Sequence, residues 1–267
     1  MNLQEITSQV AILSRHTGEF VRNSATEFNR ESVEYKGLND MVSYVDMETE
    51  VRLVEGLRKI LPEAGFITEE ETVQQTDNQE FAWIIDPVDG TTNYMHGLPV
   101  FAISIALQQN DKIILGVVYE INRDECFTAW LNGGAYLNEK PIKVSSAKYL
   151  KDSLIATGFP YYDFELMDNY INILKELMQK SHGLRRFGAA AVDLAYTACG
   201  RFEGFFEYNF KPWDVAAGTL IVQEAGGKVT DFKGGEDFVF GRELIAGCGM
   251  FSELEGIIFR NWQKSVK

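Results

Sequence analysis

The chain has 267 residues, of which 39 are Asp or Glu and 25 are Lys or Arg, so its formal charge is -14. Hydrophobic residues make up 45% of the chain and charged residues 24%, proportions that exclude a wholly disordered protein. The surplus of carboxylates argues against a protein that coats nucleic acid, because phosphate binding needs clustered Lys and Arg. We therefore expect a globular protein with no nucleic-acid partner.

Neither a secretory leader nor a membrane span is predicted. The first twenty residues lack a basic start followed by an unbroken apolar run, and no segment approaches the ~18 apolar residues of a span. The three cysteines lie far apart without a CxxC pair, which argues against a disulfide framework or a zinc knuckle. We expect a cytoplasmic protein with no membrane partner.

The first half of the chain begins with two predicted helices and then becomes rich in strands. Apolar residues at helical spacing predict one helix over about the first twenty residues and another over about 46–61, before Pro62. A short buried strand at 81–85 is expected to end abruptly at Asp86-Pro87. Three further strands have short connections that favour antiparallel pairing. They span residues 101–109, 113–121 and 126–131.

The second half mixes helices and strands. Helices are predicted near residues 164–179, 189–199 and 214–225, with a final helix at the end. Strands are predicted near residues 204–208, 228–232 and 244–247. No linker-like tract separates the two halves, so we divide the chain into an α+β part, 1–145, and an α/β part, 146–267, packed closely as one functional unit.

The most informative segment is DPVDGTTN at residues 86–93, directly after the predicted strand. Pro87 fixes its own φ and restricts the backbone of Asp86, so the chain leaves the strand in a fixed turn. That turn can aim Asp86, the Val88 carbonyl and Asp89 at one point. Oxygen ligands without a nearby His or Cys suit Mg²⁺ or Mn²⁺ better than zinc.

Gly90 then permits a close backbone approach, and residues 90–92 can open a helix whose free N–H groups receive an anion. Residues 69–71 are a glutamate run after an apolar pair, either further ligands at a strand end or a solvated face. Residues 211–218, KPWDVAAG, are typical of a helix start, and Asp214 there can cap the helix and still turn one oxygen outward. Residues 186–191, RFGAAA, open another helix with small residues and form a second candidate anion or substrate wall.

Together these segments resemble the inositol monophosphatase family. Its three motifs match, in order and spacing, Glu69-Glu70, DPVDGTTNY at 86–94 and PWDVAAG at 212–218. The series Lys36, Asp40, Ser43 and Asp46 resembles the family's lid and water-activating segment. The similarity covers nearly the whole chain, with Thr68 where Gly commonly precedes the glutamate pair and Tyr94 where Phe often follows. It implies an α/β fold of the α+β type, a layered α-β-α-β-α sandwich with two mixed or antiparallel sheets.

The resemblance also implies a Mg²⁺-dependent phosphate monoester hydrolase that binds two or three ions, for which Mn²⁺ can substitute. The implied metal ligands are Glu69, Asp86, the Val88 carbonyl, Asp89 and Asp214. The implied catalytic residues are Glu69, Thr91, which would orient the attacking water, and Asp46 behind Thr91. The implied substrate contacts are Asp89, Gly90, Thr91, Gly188, Ala189, Ala190, Glu207 and Lys211, and Lys36 is the lid lysine. A homodimer and sensitivity to Li⁺ are further implications.

The partner is expected to be a small polyol or sugar phosphate, with inositol 1-phosphate the first choice. Fructose 1,6-bisphosphate, histidinol phosphate and 3′-phosphoadenosine 5′-phosphate stay open as substrates of the same family. Lys211 stands at a position that is often His in the family, and we hypothesise that Arg185, Arg186 or Lys211 accepts a second phosphate. An alternative of another class is a regulatory protein that binds metal and a partner, with catalysis incidental.

Overall fold

The structure is a computed structural model that describes residues 1–27, 34–37, 40–42, 44–76, 79–160 and 164–262. Within these ranges the chain forms seven α-helices and fourteen strands. The helices are α1 (Leu3–Glu27), α2 (Tyr44–Ile60), α3 (Thr91–His96), α4 (Met167–Lys180), α5 (Ala190–Ala198), α6 (Pro212–Glu224) and α7 (Phe251–Trp262). None of these helices has the length and apolar character needed to cross a lipid bilayer.

The strands form two large sheets and one small hairpin. The first seven are β1 (Glu34–Gly37), β2 (Asp40–Val42), β3 (Gly65–Thr68), β4 (Phe81–Asp89), β5 (Ala102–Gln109), β6 (Lys112–Glu120) and β7 (Glu125–Trp130). The others are β8 (Gly134–Leu137), β9 (Lys140–Pro141), β10 (Leu154–Thr157), β11 (Gly183–Arg185), β12 (Gly204–Tyr208), β13 (Lys228–Thr230) and β14 (Glu243–Gly247). The sheet orders are β3-β4-β5-β6-β7-β8-β9 and β11-β10-β12-β14-β13, and β1 pairs with β2.

Both large sheets are mixed. In the seven-stranded sheet β3 runs parallel to β4, and every later pair is antiparallel. The antiparallel pairing predicted for β5, β6 and β7 from their short connections is confirmed. In the five-stranded sheet β10 pairs in parallel with β11 and β12, and β14 pairs antiparallel with β12 and β13. The division proposed at residues 145 and 146 falls between β9 and β10 and stays a prediction.

Helices lie on both sides of each large sheet. Helices α1 and α2 cover one face of the seven-stranded sheet, α5 and α6 lie between the two sheets, and α4 and α7 cover the far face of the five-stranded sheet. The alternation along β5 shows the cause, because Ile103 and Ile105 pack toward α1 and α2 whereas Ala102 and Ala106 pack toward α5 and α6. The predicted α-β-α-β-α sandwich is confirmed.

Small residues let α6 lie very close to its neighbours on two sides. A Cβ added to Gly116 of β6 would lie 2.6 Å from the carbonyl oxygen of Ala217 and 3.1 Å from its Cα. On the other side, a Cβ added to Gly218 would lie 2.5 Å from the Cβ of Leu194 in α5. The backbone of α6 is therefore held between β6 and α5 at distances that only glycine permits.

We expect Gly116→Ala to lower the free energy of unfolding by about 1–3 kcal/mol, because the new methyl group overlaps the α6 backbone. The matched control is Gly256→Ala in α7, where the nearest atom would be 3.8 Å away, the Nη1 atom of Arg260. The free energy of unfolding of the control should rise by roughly 0.5–1 kcal/mol, because alanine has a higher helix propensity than glycine. Urea unfolding of both variants checks this, and a Gly116→Ala protein as stable as wild type would contradict the close packing.

Candidate active site

The strand β4 carries the first part of the site because it does not end where the sequence predicted. The predicted end at Asp86-Pro87 is wrong, since β4 continues to Asp89. Asp86 pairs with Ser104 and Asp89 with Ala102, so β4 holds one residue more than β5 over this stretch. Pro87 has no N–H for the ladder, and the Val88 N–H donates to Asp86 Oδ1 at 3.0 Å. The resulting bulge brings Asp86, Val88 and Asp89 to one cavity.

The chain next turns into α3, as the sequence predicted. Gly90 has a φ of +95°, a left-handed conformation that favours glycine, and it precedes the first helical residue, Thr91. The Thr91 hydroxyl lies 3.1 Å from Asp46 Oδ1 and 3.0 Å from the Val88 carbonyl oxygen, and it can donate to either. Asp46 lies in the first turn of α2 and is buried. The start of α2 is thus joined to the start of α3.

Glu69 lies next to Asp86 because β3 and β4 run parallel and Thr68 pairs with Ile85. The two side chains lie within hydrogen-bond reach of each other. Burial raises the pKa of Glu69 well above its ordinary value, and the charge of Asp214 raises it further. Burial also raises the pKa of Asp86, to which Glu69 and Asp89 add. Burial and the neighbouring like charges therefore act on this pair in the same direction.

Helices α5 and α6 complete the acidic cluster. Asp214 is in the first turn of α6, and its Oδ2 accepts the Lys211 N–H at 2.7 Å. Burial raises the pKa of Asp214 to about 6, although the hydrogen bond and charge of Lys211 oppose the shift. The Asp89 carboxylate accepts the N–H groups of Ala190 at 3.2 Å and Ala191 at 2.7 Å, and burial raises its pKa to about 8. The first amides of α5 are thus occupied by a carboxylate of the protein.

The cavity at these elements has a volume of about 140 Å³. Six carboxylates line it, from Glu69, Asp86, Asp89, Asp193, Glu207 and Asp214. Two cationic side chains, Arg186 and Lys211, also line it. The remaining sequence-predicted lining residues are Val88, Gly90, Thr91, Gly188, Ala189 and Ala190. The positions of the predicted site residues therefore converge, while their roles stay predictions.

Three predicted residues lie elsewhere. Asp46 does not line the cavity, but its carboxylate lies next to the hydroxyl of Thr91, which does. Arg185 is exposed and donates to the Leu184 carbonyl, so it does not border the cavity with Arg186. The side chain of Lys36 lies outside the described part of the chain, and so its proposed lid role has no structural comparison here.

Sequence reasoning missed several residues of the site. Asp193 is buried in α5, and its Oδ1 has no hydrogen-bond partner among the described residues. Burial raises its pKa well above the ordinary value, with Glu207 the next cause. Asn93 donates to the carbonyls of Val100 at 2.8 Å and Phe187 at 2.7 Å, and thereby joins α3 to the loop before α5. A buried acid in an alanine-rich helix was the one available signal for Asp193.

The donor chemistry of the cavity fits divalent cations. Every candidate ligand is an oxygen, the set preferred by Mg²⁺, and two cationic side chains face six carboxylates, four of them buried and two half-buried. The raised pKa values of the cluster show that the protein groups alone leave its negative charge poorly compensated. Within the described ranges, no three His, Cys, Asp or Glu side chains are already gathered tightly enough to enclose an ion. Metal binding is therefore a proposal from the donor set.

Comparison with known proteins gives the class of protein to which this fold and site correspond. The sequence model of the inositol monophosphatase family matches residues 2–263. The chain therefore belongs to the inositol monophosphatase family, which confirms the resemblance in its motifs.

Individual relatives carry two kinds of name. The chain is 43% identical to the putative Nus factor SuhB of Neisseria meningitidis serogroup B over 87% of this chain and 89% of the relative. It is 40% identical to the Nus factor SuhB of Escherichia coli K12, over 88% of each chain. The solved inositol monophosphatase of Anabaena (Nostoc) sp. PCC 7120 is 32% identical, with a TM-score of 0.87 and 97% of each chain covered.

Proposed function

We propose that this protein is a Mg²⁺-dependent phosphatase of small polyol or sugar phosphates, with inositol 1-phosphate as the first substrate to test. The observation that carries the proposal is the convergence of six carboxylates in one small cavity beside the start of α3. Membership of the inositol monophosphatase family supports phosphate monoester hydrolysis as the activity.

Glu69, Asp86, the Val88 carbonyl, Asp89 and Asp214 would hold two or three ions, and Mn²⁺ could replace Mg²⁺. When bound, Mg²⁺ would neutralise the anionic ester and lower the pKa of a water molecule at the site. The closeness of Asp86 to Glu69 and the raised pKa values of both side chains support the proposal that a cation would stabilise them. Ion binding would offset the repulsion between the carboxylates.

The residues around the ligands would position the reactants. When the Thr91 hydroxyl donates to Asp46, its oxygen can accept a hydrogen bond from the attacking water and orient it, and the Asp46 carboxylate behind it would be the proton acceptor. The amides of Gly90 and Thr91 at the start of α3 would hold phosphate oxygens. Gly188, Ala189, Ala190, Glu207 and Lys211 would border the alcohol part of the substrate, and Lys36 would act as a lid residue.

Phosphate release from inositol 1-phosphate should require Mg²⁺, and Asp89→Asn should lower kcat/KM at least ~100-fold, since a ligand to the ions contributes several kcal/mol. The control is Asp111→Asn, the same change on an exposed turn, which should keep wild-type activity. Phosphate release is measured with Mg²⁺ and with EDTA. Metal-independent release that Asp89→Asn leaves unchanged would show the mechanism to be wrong.

Substrate choice follows from the charge around the cavity. A second phosphate would enter beside Asp193 and Glu207, with only Arg186 and Lys211 as cationic lining groups. We expect kcat/KM for inositol 1-phosphate to exceed that for fructose 1,6-bisphosphate at least ~10-fold, a difference of about 1.4 kcal/mol. Measuring kcat/KM for both esters, together with histidinol phosphate and 3′-phosphoadenosine 5′-phosphate, checks this expectation. Preference for the bisphosphate would instead support a second phosphate site at Arg186 or Lys211.

A second candidate function is association with the transcription machinery, because two relatives at 40% identity or more bear the name Nus factor. This name conflicts with the absence of a nucleic-acid partner expected from the charge of -14. It agrees with the alternative of a regulatory protein that binds a partner.

Binding to purified bacterial transcription complexes, measured with the wild type and Asp89→Asn, separates the two candidates. A regulatory role that does not need catalysis predicts binding that survives Asp89→Asn, because the substitution lies inside the cavity and not on an exposed surface. Adding free RNA as a competitor then shows whether the protein contacts the nucleic acid or the protein part of the transcription complex. Lack of binding by the wild type would reject this candidate.

Three further properties belong to the proposal. Inhibition by Li⁺ and a homodimeric state rest on the family alone, and a cytoplasmic location rests on the sequence features described above. Competition of Li⁺ with Mg²⁺ in the phosphatase assay and the mass of the protein in solution are the direct measurements of the first two.

A further inference from the structure

Glu50 is a buried carboxylate for which the sequence suggested no role. It lies in α2, one helical turn after Asp46, and its side chain is completely inaccessible. Since i and i+4 positions share a helix face, Asp46 and Glu50 both point away from solvent toward the ends of β3 and β4. A buried carboxylate needs strong donors to be stable, and so its partners indicate its purpose.

Four donors of one short loop bind the Glu50 carboxylate. Its Oε2 accepts the Glu70 N–H at 2.7 Å, and its Oε1 accepts the Thr72 N–H at 2.8 Å. The hydroxyl groups of Thr72 at 2.7 Å and Thr68 at 2.9 Å also donate to Oε1. All four donors belong to residues 68–72, the segment that contains Glu69.

The backbone of this segment needs such a partner. Glu71 has a φ of +52°, in the left-handed region that a non-glycine residue rarely adopts. The two amides that bind Glu50 belong to the residues immediately before and after Glu71. Amides turned toward one side in this way form a concavity for an anion, and here the anion is the protein's own carboxylate. Glu50 therefore stabilises the conformation in which Glu69 is presented to the cavity.

Thr68 holds the other end of the loop. It is buried at the end of β3, and its N–H donates to Gln75 Oε1 at 2.8 Å, while Gln75 Nε2 donates back to the Thr68 hydroxyl at 3.0 Å. The Thr68 hydroxyl then donates to Glu50. A glycine at this position could make neither hydroxyl contact. The threonine thus connects the loop to α2 through the hydrogen bond from its hydroxyl to Glu50.

We propose that Glu50 is a positioning residue that sets the Mg²⁺ affinity of the cavity by holding the 68–72 loop, and with it Glu69, against α2. The inference rests on the proposed function through the role of Glu69 as a metal ligand. Through Asp46 and Thr91 the same helix also holds the start of α3. One rigid element therefore supports the carboxylate of Glu69 and the hydroxyl of Thr91.

The test compares Glu50→Gln with Glu48→Gln, the same change on the same helix. Glu48 is 45% exposed and its carboxylate faces Arg52. Calorimetric titration with MgCl₂ should show about a tenfold weaker Kd for Glu50→Gln, in the range found for residues that orient metal ligands. Hydrogen exchange of the metal-free protein should show faster exchange at the amides of residues 70 and 72. At saturating Mg²⁺ the KM for inositol 1-phosphate should stay within twofold, since Glu50 does not border the substrate.

The outcomes are distinguishable from failure of the proposed function. If the wild type binds Mg²⁺ and hydrolyses the ester, but Glu50→Gln matches Glu48→Gln in Kd and in exchange, this inference alone is wrong. If the wild type binds no Mg²⁺, the proposed function and this inference both fail. If Glu50→Gln does not fold, as judged by circular dichroism, Thr68→Val carries the test. This variant keeps the shape and removes one donor, so we expect a Kd about threefold weaker, and an unchanged Kd would overturn the inference.

Discussion

Burial of several carboxylates at one point is the constraint on which this structure depends. Removing charged groups from water is costly, and placing like charges together adds to that cost. Several of these carboxylates are stabilised by fixed donors from the backbone or from a neighbouring side chain. Asp89 is bound by the first amides of α5, Asp214 by the Lys211 amide, and Glu69 by Asp86. The surrounding fold supplies these donors at the ends of strands and the starts of helices.

The close packing of α6 serves the same requirement. The helix begins with Asp214 and is held between β6 and α5 by contacts that leave no room for a methyl group at Gly116 or Gly218. A rigid helix start fixes a carboxylate more accurately than a flexible loop would. The layered architecture and the site are therefore one arrangement, because the helices between the two sheets also form a wall of the cavity.

Much of this arrangement could be predicted from local sequence. Short connections predicted the antiparallel strands. Gly90 predicted the helix that follows it, and the KPWDVAAG segment predicted the start of α6. Each of these signals lies within a few neighbouring residues. The bulge in β4 could not be predicted, because it depends on the pairing of Asp86 and Asp89 with a strand more than a dozen residues away. Glu50 was missed for a similar reason, since its hydrogen-bond donors come from the loop after β3. Asp193 was missed because its burial depends on how α5 packs against other elements.

The net charge of -14 predicts the binding partners of this protein less well than the local arrangement of its charges does. At physiological salt, exposed charges more than about 8 Å apart are largely screened from each other, whereas buried charges are not. The six carboxylates of the cavity therefore act on a ligand far more strongly than the other acidic residues, and they favour a small hard cation before any anion. In the proposed function, bound cations would supply the positive charge that Lys and Arg supply in other phosphate sites, and an acidic protein could in this way receive a phosphate ester. The same argument weakens any inference from net charge to the absence of a nucleic-acid partner, since local patches decide such contacts.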